Sequence, residues 1–157
     1  MRARPHWRRE SARHLVRAVA VACVLFAVAG CKVKLIDDYS KDAEDGLLAA
    51  YAKVERLFDA ISEANTPPDP RAYHRFAQQY ADASEAIRVQ ALRESARPLN
   101  AESYGIIAQI DTVFTGYREA HRKANDVAEI LIAGHRDAMR RMFGAALKAE
   151  RVKQDVP

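Results

Sequence analysis

The chain predicts an all-α fold, an antiparallel four-helix bundle that follows an N-terminal leader and a short tether. Three observations carry this reading. Apolar residues recur at alternating steps of three and four through most of residues 42–153, the spacing that lines one face of a helix. The stripes are interrupted at Asn65-Thr66-Pro67-Pro68-Asp69-Pro70, at Arg97-Pro98 and at Asn125-Asp126. The segments between these breaks run to roughly 23, 27, 25 and 26 residues, matched lengths that pack side by side in an up-and-down bundle.

Residues 1–30 come first. Arg2, Arg4, Arg8, Arg9, Arg13 and Arg17 precede an uncharged run from residue 18 to residue 30. That run is about 13 residues, short of the roughly 20 that a stable membrane-crossing helix needs, so a cleaved hydrophobic region fits it better than a permanent span. The run ends in Val28-Ala29-Gly30-Cys31, which resembles a bacterial lipoprotein signal. The resemblance implies lipidation of the Cys31 sulfur, cleavage before it and acylation of the freed amine. Each buried acyl methylene contributes about 0.8 kcal/mol, and more than one chain is needed for stable anchoring. Lys32 after the cysteine implies an outer-membrane destination facing the periplasm, with the inner membrane as the alternative. An uncleaved anchor, or cleavage that leaves Cys31 an ordinary thiol, is the competing reading of the leader. Residues 31–41 are the lipidated cysteine and its tether, which spans at most about 30 Å up to Tyr39, and residues 42–153 are the bundle.

The first helix is expected over residues 42–64, with Leu47, Tyr51, Val54, Phe58 and Ile61 as its stripe and Leu48 and Leu57 widening it. The proline-rich break ends it, because proline supplies no backbone donor and clashes with the preceding turn. The second helix is expected to start at Asp69 as N-cap with Pro70 in the first helical position. Its buried face is Tyr73, Phe76, Tyr80, Ala83 and Ile87, continued by Ala91. Asn100 is placed as the cap of the third helix, whose apolar side is Tyr104, Ile107, Ile110, Phe114 and Tyr117.

No proline interrupts the chain between residues 99 and 156. One continuous helix of about 50 residues, near 75 Å long, would give a three-helix alternative with half of its stripe bare unless a dimer covered it. The preferred break lies at Asn125-Asp126, where Asp126 followed by Glu129 has the form of a capping box. The fourth helix then occupies residues 127–153, with Ile130, Leu131, Ala138, Met142 and Leu147 facing inward.

The net charge of +4 and pI near 9.2 belong to the leader. Residues 31–157 hold 19 basic and 20 acidic side chains, both signs mixed along the helices, and the basic stripe that phosphate binding requires is missing. Nucleic acid is therefore excluded as a partner. Cys23 lies in the leader and Cys31 is consumed by lipid, which leaves no thiol for a disulfide, a cysteine metal cluster or a nucleophile.

Candidate chemistry is sparse. His121 and His135 lie two heptads apart, about 21 Å along a continuous helix; a fold-back at Asn125 brings them closer, with His74 as a third weak candidate for a metal or small-ligand site. The Glu-x-x-His pairs of two-metal bundles are missing, because residues 71, 118 and 132 are Arg, Arg and Ile. Gly-x-Ser-x-Gly, Walker and Rossmann glycine patterns and Cys-x-x-Cys-His are also missing, so neither a catalytic residue nor a cofactor is expected. The tyrosines and phenylalanines fall on the stripes and read as core. The basic clusters Arg118-Arg122-Lys123 and Arg136-Arg140-Arg141 read as solvated faces, with anionic headgroups as a possible contact.

Residues 39–55, beginning Tyr39-Ser40 and ending Val54-Glu55, together with Tyr73-x-x-Phe76 and Arg97-Pro98-Leu99-Asn100, resemble a group of small proteobacterial helical lipoproteins. That resemblance implies no assigned activity. The expected function is a non-enzymatic, membrane-anchored helical scaffold or interaction module of the cell envelope, held by its N-terminal lipid and bound to an envelope protein, with homo-oligomerisation open. The alternative is a bundle that binds a small ligand or metal through His74, His121 and His135.

Overall fold

The computed structural model describes residues 36–155 apart from Thr66 and Pro68; Cys31 and the leader lie outside the described residues. Four α-helices make up the fold: α1 (Lys41–Glu63), α2 (Ala77–Ser95), α3 (Ala101–Ala124) and α4 (Glu129–Val152). Successive helices run antiparallel. Each packs closely against two neighbours, α1 on α2 and α4, and α3 on α2 and α4, with the diagonal pairs further apart. Among the described residues there is no strand.

The core follows from the apolar stripes. Leu47, Val54, Phe58 and Ile61 of α1 meet Tyr80, Ala83 and Ile87 of α2, Ile107, Ile110 and Phe114 of α3, and Ile132, Met139 and Phe143 of α4. Ser40 caps α1, its Oγ accepting the Ala43 N–H at 3.2 Å, and Asp42 and Glu44 in the first turn favour the positive end of the helix dipole. Gly46 lies where α1 approaches α2, and a Cβ there would displace the ends of the Gln90 and Arg93 side chains.

The turn between α3 and α4 excludes the single long helix. Asn125 adopts the left-handed conformation (φ 54°, ψ 18°), and its N–H closes the last turn on the His121 carbonyl at 2.8 Å. Asparagine tolerates that region better than most residues. Here its Oδ1 also accepts the Tyr73 N–H at 3.1 Å, fixing the turn against the α1–α2 connection.

Six details differ from the sequence reading. Helix α2 begins at Ala77 rather than at Pro70. Residues 70–76 form a turn and a single 3-10 turn, Tyr73–Arg75, because the Arg71 carbonyl and Tyr73 amide are taken by His121 and Asn125. Residues 36–40, read as tether, are fastened to the bundle. The Asp126–Glu129 capping box does not form: Asp126 Oδ1 accepts the adjacent Val127 N–H, Glu129 pairs with Arg71, and Ala128 stands at the N-cap without a side-chain bond. Asn100 does not cap α3 with its side chain, which turns back to Glu94. The stripe of α4 is rotated: Ile132, Met139, Phe143 and Ala146 are buried, Ala138, Met142 and Leu147 are half-buried, and Ile130 and Leu131 are exposed. Leu48 and Tyr104, expected inside, are also exposed.

Leu99 adopts a positive φ of 55° with its side chain in solvent. The left-handed region costs a branched residue about 1–2 kcal/mol.

Candidate functional site

Two polar clusters close the ends of the bundle, and a groove runs along one flank. The first cluster lies where α1 and α3 begin and α2 and α4 end. Gln90, Glu94, Arg97 and Asn100 follow one another at three- and four-residue spacing and turn inward together. Glu94 and Glu150 are 1% and 2% exposed, and burying such charges is costly unless every one is bonded. They are. Glu94 accepts from Gln90 Nε2 at 2.8 Å, from Arg97 at 2.9 Å and from Asn100 Nδ2. Glu150 accepts from Arg97 at 3.2 Å, from Lys153 Nζ at 2.5 Å and from the Ser40 backbone N–H at 2.7 Å.

Arg97 is the hub. Its guanidinium also donates to Asp37 at 2.7 Å and to the Asp38 carbonyl, so one side chain joins the chain ahead of α1 to the ends of α2 and α4. Burial alone would lower its pKa, but the hydrogen bonds to Glu150 and Asp37 outweigh that and hold it above its ordinary value. The arrangement locks the entry of the chain into the bundle.

The second cluster closes the opposite end. His121, buried at the end of α3, meets the Tyr80 hydroxyl with Nδ1 at 3.1 Å and the Arg71 carbonyl with Nε2 at 2.6 Å. A carbonyl only accepts, so Nε2 carries a proton and donates to Arg71, while Nδ1 and the Tyr80 hydroxyl are bonded to each other. Both ring nitrogens are thereby engaged, leaving neither for a metal or a nucleophile. Burial pushes the Tyr80 hydroxyl up from 10.0, which keeps it a donor.

The structure does not gather the three histidines into one site. His74 lies exposed on the 3-10 turn. His135 stacks on Tyr117 with ring centroids 3.6 Å apart. Among the described residues no three His, Cys, Asp or Glu side chains converge as a metal would need. Burial lowers the pKa of His135 below its ordinary 6.5, because the charged imidazolium is the form that burial penalises. A depressed histidine pKa stabilises the fold above the unfolded-state value and loses that contribution as pH falls through the folded one. Thermal unfolding midpoints should therefore fall as pH drops below 6.5, and His135→Phe, which keeps the stack, should flatten that part of the profile.

Along the flank, α2 and α3 leave a shallow groove of about 350 Å³ lined by Ala81, Ser84, Arg88, Val89, Leu92 and Arg118. Ser84 Oγ is buried there without a hydrogen-bond partner. Arg88 faces Asp111 at 3.5 Å and Arg118 donates to the Tyr73 hydroxyl at 3.1 Å. No protein-family model, curated protein or solved structure matches the chain. The site is therefore read from its own groups. Among the described residues Ser84 Oγ has no hydrogen-bond partner, so neither a histidine nor a carboxylate is bonded to it.

Sequence reasoning missed the Arg97 hub and the Ser84 groove. The spacing Gln90-Glu94-Arg97 was visible as a signal, yet charges at that spacing read equally as a solvated face.

Proposed function

We propose that the chain is a lipid-anchored helical module of the bacterial envelope, fixed through Cys31 and presenting its bundle to a protein partner close to the membrane. The anchor rests on the residues 18–31 and their likeness to a lipoprotein signal. The observation that carries the module is the fastening of residues 36–40: Asp37, Asp38 and Ser40 are held by Arg97 and Glu150. Only residues 32–35 then separate Cys31 from the bundle unit, a reach of at most about 18 Å. A helical body on so short a link works at the lipid surface, whereas a free polar tether would let it range further. All four helices have their apolar stripes buried against each other, which supports a rigid presenting body over one that folds around its partner.

Cys31→Ser is the direct test. It should abolish labelling by fatty acid and release the protein from the membrane fraction, while the helical circular dichroism of the bundle stays unchanged. Persistent labelling in the variant overturns the anchor. Crosslinking in intact cells should join the bundle to a reproducible envelope protein, and absence of any such product across expressing conditions overturns the interaction role.

A further inference from the structure

We propose that the bundle end carrying Arg97 is itself a lipid contact, in which Leu99, Leu92 and Val152 enter the apolar edge of the membrane beside the anchor. This rests on the lipid-anchoring reading above. Three observations meet at that end. Leu92 in the last turn of α2, Leu99 in the loop before α3 and Val152 at the end of α4 are 71%, 56% and 52% exposed. Leu99 holds a left-handed backbone with φ 55° while its side chain faces solvent, a strained display that packing within the fold does not explain; such strain concentrates where a residue contacts something else. The third is where the chain leaves the described structure. Residue 36 adjoins Asp37, which is bonded to Arg97, two positions from Leu99, so the described chain begins at this same end.

The occupant is lipid rather than an acidic or basic ligand, because the charges around these side chains are of both signs and paired. Lys41 pairs with Asp45 at 2.6 Å and Arg151 with Glu44 at 2.5 Å. No single-sign field faces outward, and the attraction is apolar, with leucine side chains as its source. Molar salt should leave it intact, in contrast to a polybasic contact.

The full chain is made with Trp7→Phe, which removes its single tryptophan, and with Leu99→Trp, Leu92→Trp or, at the opposite end, Ile130→Trp. Each lipid-modified protein is reconstituted into vesicles of phosphatidylethanolamine and phosphatidylglycerol whose acyl chains carry bromine. Emission from the probes at 99 and 92 should shift to the blue and be quenched, unchanged by molar salt, while the probe at 130 shows neither effect. The exposed positions tolerate the new side chain, and having two of them guards against one poorly folded variant. Unquenched probes at both 99 and 92, or equal quenching at 130, overturn the contact. Fatty-acid labelling of Cys31 in the same samples separates the two readings. A labelled, membrane-bound protein with unquenched probes overturns the contact alone, and an unlabelled protein overturns the anchor and the contact with it.

Discussion

Arg97→Met should destabilise the bundle by about 3–5 kcal/mol, because it removes the cation shared by several carboxylates of a buried ionic cluster and leaves their charge under-compensated. The guanidinium touches three carboxylates, Asp37, Glu94 and Glu150. Without it Lys153 is the only cation left bonded to Glu150, and Glu94 keeps only the amides of Gln90 and Asn100. Methionine fills most of the volume, so the loss is electrostatic rather than a cavity. Urea unfolding followed by circular dichroism measures it: the midpoint should fall with the slope unchanged. Adding Glu94→Gln and Glu150→Gln to Arg97→Met should recover part of the loss, since neutral amides no longer carry the buried charge.

The same substitution has a second readout. Asp37 and the Asp38 carbonyl lose the Arg97 donor, so the hold on the chain ahead of α1 weakens and the backbone at Lys41 becomes more open to trypsin. Cleavage there in Arg97→Met under native conditions, with wild type resistant, distinguishes a lost lock from a general loss of stability.

How much of this was legible depends on how far apart the bonded residues lie. Helices α1 and α3 carry clean stripes in which Val54, Phe58, Ile107 and Phe114 have few apolar competitors on the other faces, and the buried residues follow them. The break at Asn125 was also legible, although its capping box was not, because Arg71 pairs with Glu129 from 58 positions away. Asp69-Pro70 is a sound local start signal for a helix, yet the docking of residues 71–73 on His121 and Asn125 outweighs local propensity. The Arg97 cluster was illegible for the same reason. Glu150 meets Arg97 across 53 positions and Ser40 across 110, and no window along the chain contains both.

Phe143→Ala should cost about 3–5 kcal/mol, the range for truncating a buried aromatic, whereas Ile130→Ala should change stability by less than about 0.5 kcal/mol. The pair tests the rotation of α4. Read from sequence, the run Ile130-Leu131-Ile132 supports three phases of one helix, and choosing the first two placed Met142 inward and left Phe143 out. In the structure Phe143 is fully buried and meets the Tyr51 ring at 5.3 Å, while Ile130 is 79% exposed. Glu150, which reaches Arg97 and the Ser40 amide, lies on the same face: from it the steps of four, three, four and seven lead back through Ala146, Phe143, Met139 and Ile132. The buried charge and the apolar stripe thus share one register. If unfolding experiments found the reverse, with Ile130→Ala costly and Phe143→Ala silent, α4 would be turned by about 160° and the bond from Glu150 to the chain entry would be lost with it.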